Sequence, residues 1–84
     1  MSRDMIQPQA SSEDWEPTTA LIERLLAARN RAGLSQAEVA RRMNSHPPTV
    51  CRLETGHHLP TFALLARYAE ATGCELRVDL IPRD

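Results

Sequence analysis

Between residues 35 and 58 the chain gathers its hydrogen-bond donors. Ser35, Gln36, Arg41, Arg42, His46, Thr49, Arg52, His57 and His58 bring hydroxyl, amide, imidazole and guanidinium groups, all able to donate to oxygen. Guanidinium forks suit phosphate oxygens and the O6/N7 edge of guanine. This is recognition chemistry. Nothing suggests bond-breaking: no nucleophile–base pair has a recognisable spacing, and there is no glycine-rich phosphate loop or acidic pair in context. Cys51, His57 and His58 lie close together, but their spacing fits no zinc template. The sequence therefore predicts a binding protein with no catalytic residue, no metal and no cofactor.

Two short helices around a tight turn must position these donors. Ser35 is a good N-cap, and Glu38 three residues on makes a capping box. Val39, Ala40 and Met43 give one apolar face at helical spacing, with Arg41 and Arg42 on the other side. Asn44 suits the left-handed turn that ends many helices. Pro47 and Pro48 suit a helix start, where the first N–H groups have no partner. His46, before a proline, is pushed toward the extended backbone of an N-cap. Val50 and Leu53 point inward, and Gly56 stops the helix.

Gly33-Leu34-Ser35-Gln36, Val39-Ala40, Thr49-Val50, Arg52-Leu53-Glu54, Gly56 and Pro60-Thr61 together resemble the Cro/cI-type (XRE) helix-turn-helix family. The resemblance spans about residues 21–73. It implies an all-α, lambda-repressor-like bundle of four to five helices, with the helix at Pro47 entering the major groove of DNA. On that reading Arg52 is the best base reader, with Thr49 and His46 secondary. Pro47 and Pro48 depart from the usual polar residues and offer only apolar contact, for example to a thymine methyl. The resemblance also makes Gln36 a phosphate ligand that braces the third helix. Ser35, Arg41, Arg42, His57 and His58 become backbone contacts, which position without specifying. Arg29 and Glu54 resemble a family pair tying the first helix to the third.

The net charge of −1 looks wrong for a polyanion binder, but its distribution does not. Residues 23–70 carry seven arginines against four glutamates, an excess of +3, whereas residues 1–22 carry −3 and residues 71–84 carry −1. All ten basic residues are arginine. An excess this small favours two copies acting together on DNA.

The 84 residues allow one small domain. Residues 1–17, rich in Ser, Gln, Pro and acids, read as a mobile tail, with Met5, Ile6 and Trp15 as anchors if it folds onto a partner. Residues 18–73 form the helical domain. Leu21, Leu25, Ala28 and Ala32 share a face of its first helix, flanked by Ile22 and Leu26 and stopped by Gly33. Phe62, Leu65, Tyr68 and Ala69 form the inner stripe of its last, which Gly73 ends. With only three aromatic residues, the core must be mostly aliphatic. No apolar run approaches the ~20 residues of a membrane span, no signal peptide is evident, and two cysteines read as free thiols. These features predict a cytoplasmic protein.

Residues 74–84 change period. Apolar and charged residues alternate strictly from Cys74 to Leu80, which predicts a half-buried β-strand. A lone strand invites pairing. Its simplest partner is the same strand of a second copy, making a homodimer with Leu76, Val78 and Leu80 facing the two domains. A helix-turn-helix followed by one such strand resembles the HigA- and HipB-like antitoxins of type II toxin–antitoxin systems. That likeness implies a dimeric repressor that binds its own operator and a cognate toxin. Two other readings stay open: a stand-alone regulator with no toxin, and a toxin-binding protein whose DNA reading has weakened.

Overall fold

Three of four helices, those at Gln36, Pro47 and Phe62, form where the capping signals place them. The computed structural model describes residues 17–56 and 60–83. Residues 1–16 of the expected tail (residues 1–17), and His57 and His58, lie outside the described residues, whereas Pro17, expected as the last residue of that tail, is the first residue of a helix. The helices are α1 (Pro17–Ala32), α2 (Gln36–Arg42), α3 (Pro47–Thr55) and α4 (Phe62–Ala71).

Each helix end has a local cause. Ser35 Oγ accepts from the Glu38 N–H at 3.1 Å, and Thr61 Oγ1 caps α4 by accepting from the Leu64 N–H at 3.0 Å. The capping box is only half made, because the Glu38 carboxylate turns instead to Arg41 and Arg42. His46 is an extended N-cap (φ −118°, ψ 150°) with no side-chain cap bond, and the prolines follow at the first two helical positions. Asn44 takes φ +57°, the one non-glycine residue among those described with positive φ. That lets Ser45 N–H reach Ala40 O at 2.8 Å and Asn44 N–H reach Arg41 O at 3.0 Å, closing α2 in a Schellman motif. The same double bond ends α4: Cys74 N–H to Ala69 O at 2.7 Å and Gly73 N–H to Glu70 O at 3.1 Å.

Leu25 from α1, Val39 and Ala40 from α2, Met43 at its C-cap, Val50 and Leu53 from α3, and Tyr68 and Ala71 from α4 form one core. Leu21, Leu34, Leu64 and Leu65 pack against it. Two expected inner residues are not inside. Phe62 is exposed at the first position of α4, where the stripe runs past the core. Ala32 is exposed at the last residue of α1. No residue from 74 to 83 is in a strand. Leu76 is half-buried, and Val78 and Leu80 are exposed. A strand is defined by its ladder, and the described residues offer this segment no partner.

A buried carboxylate joins all four helices. Glu54 of α3, its side chain 2 % exposed, accepts from Arg29 Nε at 2.7 Å (Oε2) and Arg29 Nη2 at 3.0 Å (Oε1). Gln36 Nε2 of α2 donates to Oε1 at 2.9 Å, and the Tyr68 hydroxyl of α4 lies 2.6 Å from Oε2. The same hydroxyl is 2.9 Å from the Leu25 carbonyl. It has one proton, and the charged, nearer carboxylate is the stronger acceptor. Burial by itself pushes the Glu54 carboxyl up, but bonds from Arg29, Tyr68 and Gln36 outweigh it and hold the group below the usual range. Burial, with the Glu54 hydrogen bond, pushes the Tyr68 phenol well above its ordinary value. Arg29 also donates Nη1 to Leu34 O at 3.0 Å, fastening the α1–α2 turn.

Removing one partner of a buried charge pair leaves the other uncompensated. Glu54→Ala is therefore expected to cost about 3–5 kcal/mol of unfolding free energy in urea titrations. An unchanged midpoint would show that the network carries no stability. The sign of the pH effect follows from the lowered carboxyl. Its stabilisation is complete above the unfolded value of about 4.3 and is lost as pH falls through the folded value. Between pH 6 and 3 the wild type should thus lose stability more steeply than Glu54→Gln. Parallel curves would refute that assignment.

Candidate nucleic-acid interface

The helix-turn-helix pair is held from behind. Val50 and Leu53 of α3 are buried in one cluster with Val39 and Ala40 of α2 and its C-cap residue Met43, and Glu54 is anchored as described. With one side of α3 so committed, its other side faces out: Pro47, Pro48, Cys51 and Arg52 are exposed, and Thr49 is half-buried. Side chains three and four apart share a helix face, so Pro48, Cys51 and Arg52 form one outer patch. Among the described residues no carboxylate pairs with Arg52. Its guanidinium keeps its donors for an outside acceptor. His46 is also exposed, just ahead of the prolines.

The prolines remove more than side-chain donors. A helix N-terminus ordinarily presents free N–H groups to anions, but Pro47 and Pro48 occupy its first two positions and have none. The Thr49 N–H is bonded to His46 O at 2.9 Å. The tip of α3 is therefore apolar in backbone as well as side chain.

The α2 residues differ in how far they are free. Ser35 is exposed but caps α2, and Gln36 turns its amide inward to Glu54. The amide nitrogen must face that carboxylate, which can only accept. The bracing role implied by resemblance is thus visible, and it occupies one of the two N–H donors of Gln36. Arg41 is 71 % exposed and paired with Glu38. Its hydrogen bond is the main reason that the Glu38 carboxyl lies below its usual value. An exposed pair of this kind is weak and easily exchanged for a phosphate. Arg42 is held elsewhere: Nη1 donates to Ala71 O at 3.2 Å, and Nε lies 3.6 Å from Glu38 Oε2. A cation on the last carbonyls of α4 complements that helix's dipole, so this arginine also joins α2 to α4.

Sequence reasoning missed three of these features. Tyr68 appears in the sequence only as a core residue, although a buried tyrosine hydroxyl needs a partner. That rule was the available signal. Nothing local announced the Arg42–Ala71 bond, which spans 29 positions. Nor did anything announce the buried Thr72, whose hydroxyl lies 2.9 Å from Tyr68 O and 3.1 Å from Ala69 O. Among the described residues no group of His, Cys, Asp and Glu could hold a metal. Cys51 and Cys74 are free thiols. No described helix is long and apolar enough to cross a membrane.

Comparison with known proteins agrees with this geometry. The chain is similar to two proteins named Antitoxin HigA1, from Mycobacterium tuberculosis strains CDC 1551 / Oshkosh and H37Rv. It is 41 % identical to each over 68 residues, which is 81 % of this chain and 46 % of each relative. It thus spans about half the length of those relatives. No solved structure matches significantly. The profile described as Helix-turn-helix matches residues 25–78, from the middle of α1 through α4 and into the C-terminal segment, and the chain belongs to the helix-turn-helix family.

Proposed function

We propose that the protein is a sequence-specific DNA-binding repressor that acts as a homodimer and as the antitoxin of a toxin–antitoxin pair, repressing its own operon in the cytoplasm. The observation that carries the DNA reading is the outer face of α3, presented by a braced frame with Arg52 open on it. The antitoxin reading rests on the similarity to the two HigA1 proteins. A cognate toxin is then the second partner, beside operator DNA.

Arg52 is the base reader in this proposal, with a bidentate bond to guanine. Arg41 exchanges Glu38 for a phosphate. Pro47 and Pro48 lie against the groove wall or a thymine methyl. Ser35, Arg42, His46, Thr49, His57 and His58 complete the contact set, and Gln36 chiefly orients α3. With so few polar readers, discrimination rests also on DNA shape and half-site spacing. The C-terminal segment sets that spacing by pairing with its two-fold mate through Leu76, Val78 and Leu80. The exposed prolines also favour a second reading, in which the protein binds a toxin but reads DNA weakly. A stand-alone regulator with no toxin is distinguished by the absence of a toxin-like reading frame beside the gene.

In anisotropy titrations on the upstream DNA, Arg52→Ala is expected to cost about 1–3 kcal/mol and to relax discrimination at one base pair. Arg41→Ala, which removes one phosphate contact from each protomer of the dimer, should weaken all sequences alike and flatten the salt slope by about 1.8. Unchanged binding by both variants would remove the DNA face from α2 and α3. Light scattering tests the dimer: Val78→Asp should halve the mass, and a variant still dimeric would refute pairing through this segment.

A further inference from the structure

An open groove of about 270 Å³ runs between α1, α4 and the start of the C-terminal segment, away from the outer face of α3. Leu21, Ala28, Leu65, Ala69 and Leu76 line it, with Arg24 and Arg31 on the α1 side. It falls below the range of about 300–1,000 Å³ usual for small-molecule sites, and its lining is mostly apolar. Its size and chemistry suit a few aliphatic side chains.

Among the described residues, the C-terminal segment carries such side chains uncovered. Val78 is 62 % exposed, Leu80 94 % and Ile81 80 %. Leu76 is already in the groove, and Arg31 Nη2 donates to Cys74 Sγ at 3.0 Å, holding the start of the segment on α1. In an extended chain Val78 and Leu80 continue the face of Leu76 at steps of about 6.6 Å. That face has left its own domain by Val78. One end of the chain thus has surplus apolar residues, and the groove from which it departs has surplus apolar wall.

We infer that the groove is the seat for Val78 and Leu80 of a second copy, each protomer's C-terminal segment filling its partner's groove. This rests on the proposal that the protein dimerises, and says what the dimer is made of. A two-stranded ladder alone is marginal in water and needs an apolar face covered. Reciprocal insertion supplies the cover on both sides of a two-fold axis, an isologous contact that closes on itself. Neither groove is complete without the other chain.

The test uses Ala28→Cys and Leu80→Cys, each in a full-length chain carrying Cys51→Ser and Cys74→Ser. Mixed, exchanged and mildly oxidised, the pair should give a disulfide-linked dimer on non-reducing gels, at far higher yield than either variant alone. Ala28→Arg, a half-buried helical position that accepts arginine readily, should halve the mass in light scattering with helical circular dichroism unchanged. If the wild type is dimeric and the two cysteine variants give no mixed crosslink, the groove seating is overturned but the dimer stands. The seating also falls, and the dimer again stands, if Ala28→Arg stays dimeric while Val78→Asp does not. A wild type that is monomeric at all concentrations overturns both. Should Ala28→Arg not fold, the crosslink decides alone.

Discussion

The bundle depends on one negative charge kept in the wrong place. Glu54 sits where water cannot reach it, and a carboxylate there is costly unless its lone pairs are filled. Arg29, Gln36 and Tyr68 fill them, one from each of the other three helices. The folded helix positions must therefore satisfy the carboxylate and the aliphatic packing together. Leu and Val side chains repack with little directional preference, whereas a bidentate guanidinium pair does not. In a domain with few aromatic residues and a small core, this gives the helices a definite arrangement that oily packing alone would leave loose.

The same constraint reaches the outer face. α3 is the helix that carries Glu54, and its inner side is held by Val50, Leu53 and the network. Its outer residues are thereby fixed in direction by contacts made on the opposite side of the helix. Gln36 commits one donor to this brace, and Arg42 commits one to the end of α4. The arginine-rich stretch is thus divided between holding the frame and facing outward. Arg52 and Arg41 are on the outward side of that division and Arg29 is on the other, while Arg42, bonded through Nη1 to Ala71 O yet 48 % exposed, stands on both.

Helix boundaries were legible in the sequence because each is a local event. Ser35, Thr61, Pro47, Asn44 and Gly73 act on backbone groups within five residues of themselves. The core was mostly legible from helical spacing. Phe62 and Ala32 escaped it because spacing gives the direction of a side chain, not how far the neighbouring helices extend. The Arg29–Glu54 pair was legible only by resemblance, since 25 positions separate its members. The C-terminal alternation was legible as a pattern, yet within one chain it makes no ladder.

The sequence by itself determined the caps and stops around α2, α3 and α4, most of the residues that face inward, and that positive charge is concentrated on residues 23–70. These follow from short-range sterics, capping and composition. Only the tertiary structure decided which arginines are free, that Gln36 and Tyr68 share one carboxylate with Arg29, and that a groove opens beside a segment with three exposed apolar side chains. Those outcomes depend on which atoms from distant positions compete for the same acceptor or the same space, and that competition has no trace in local order.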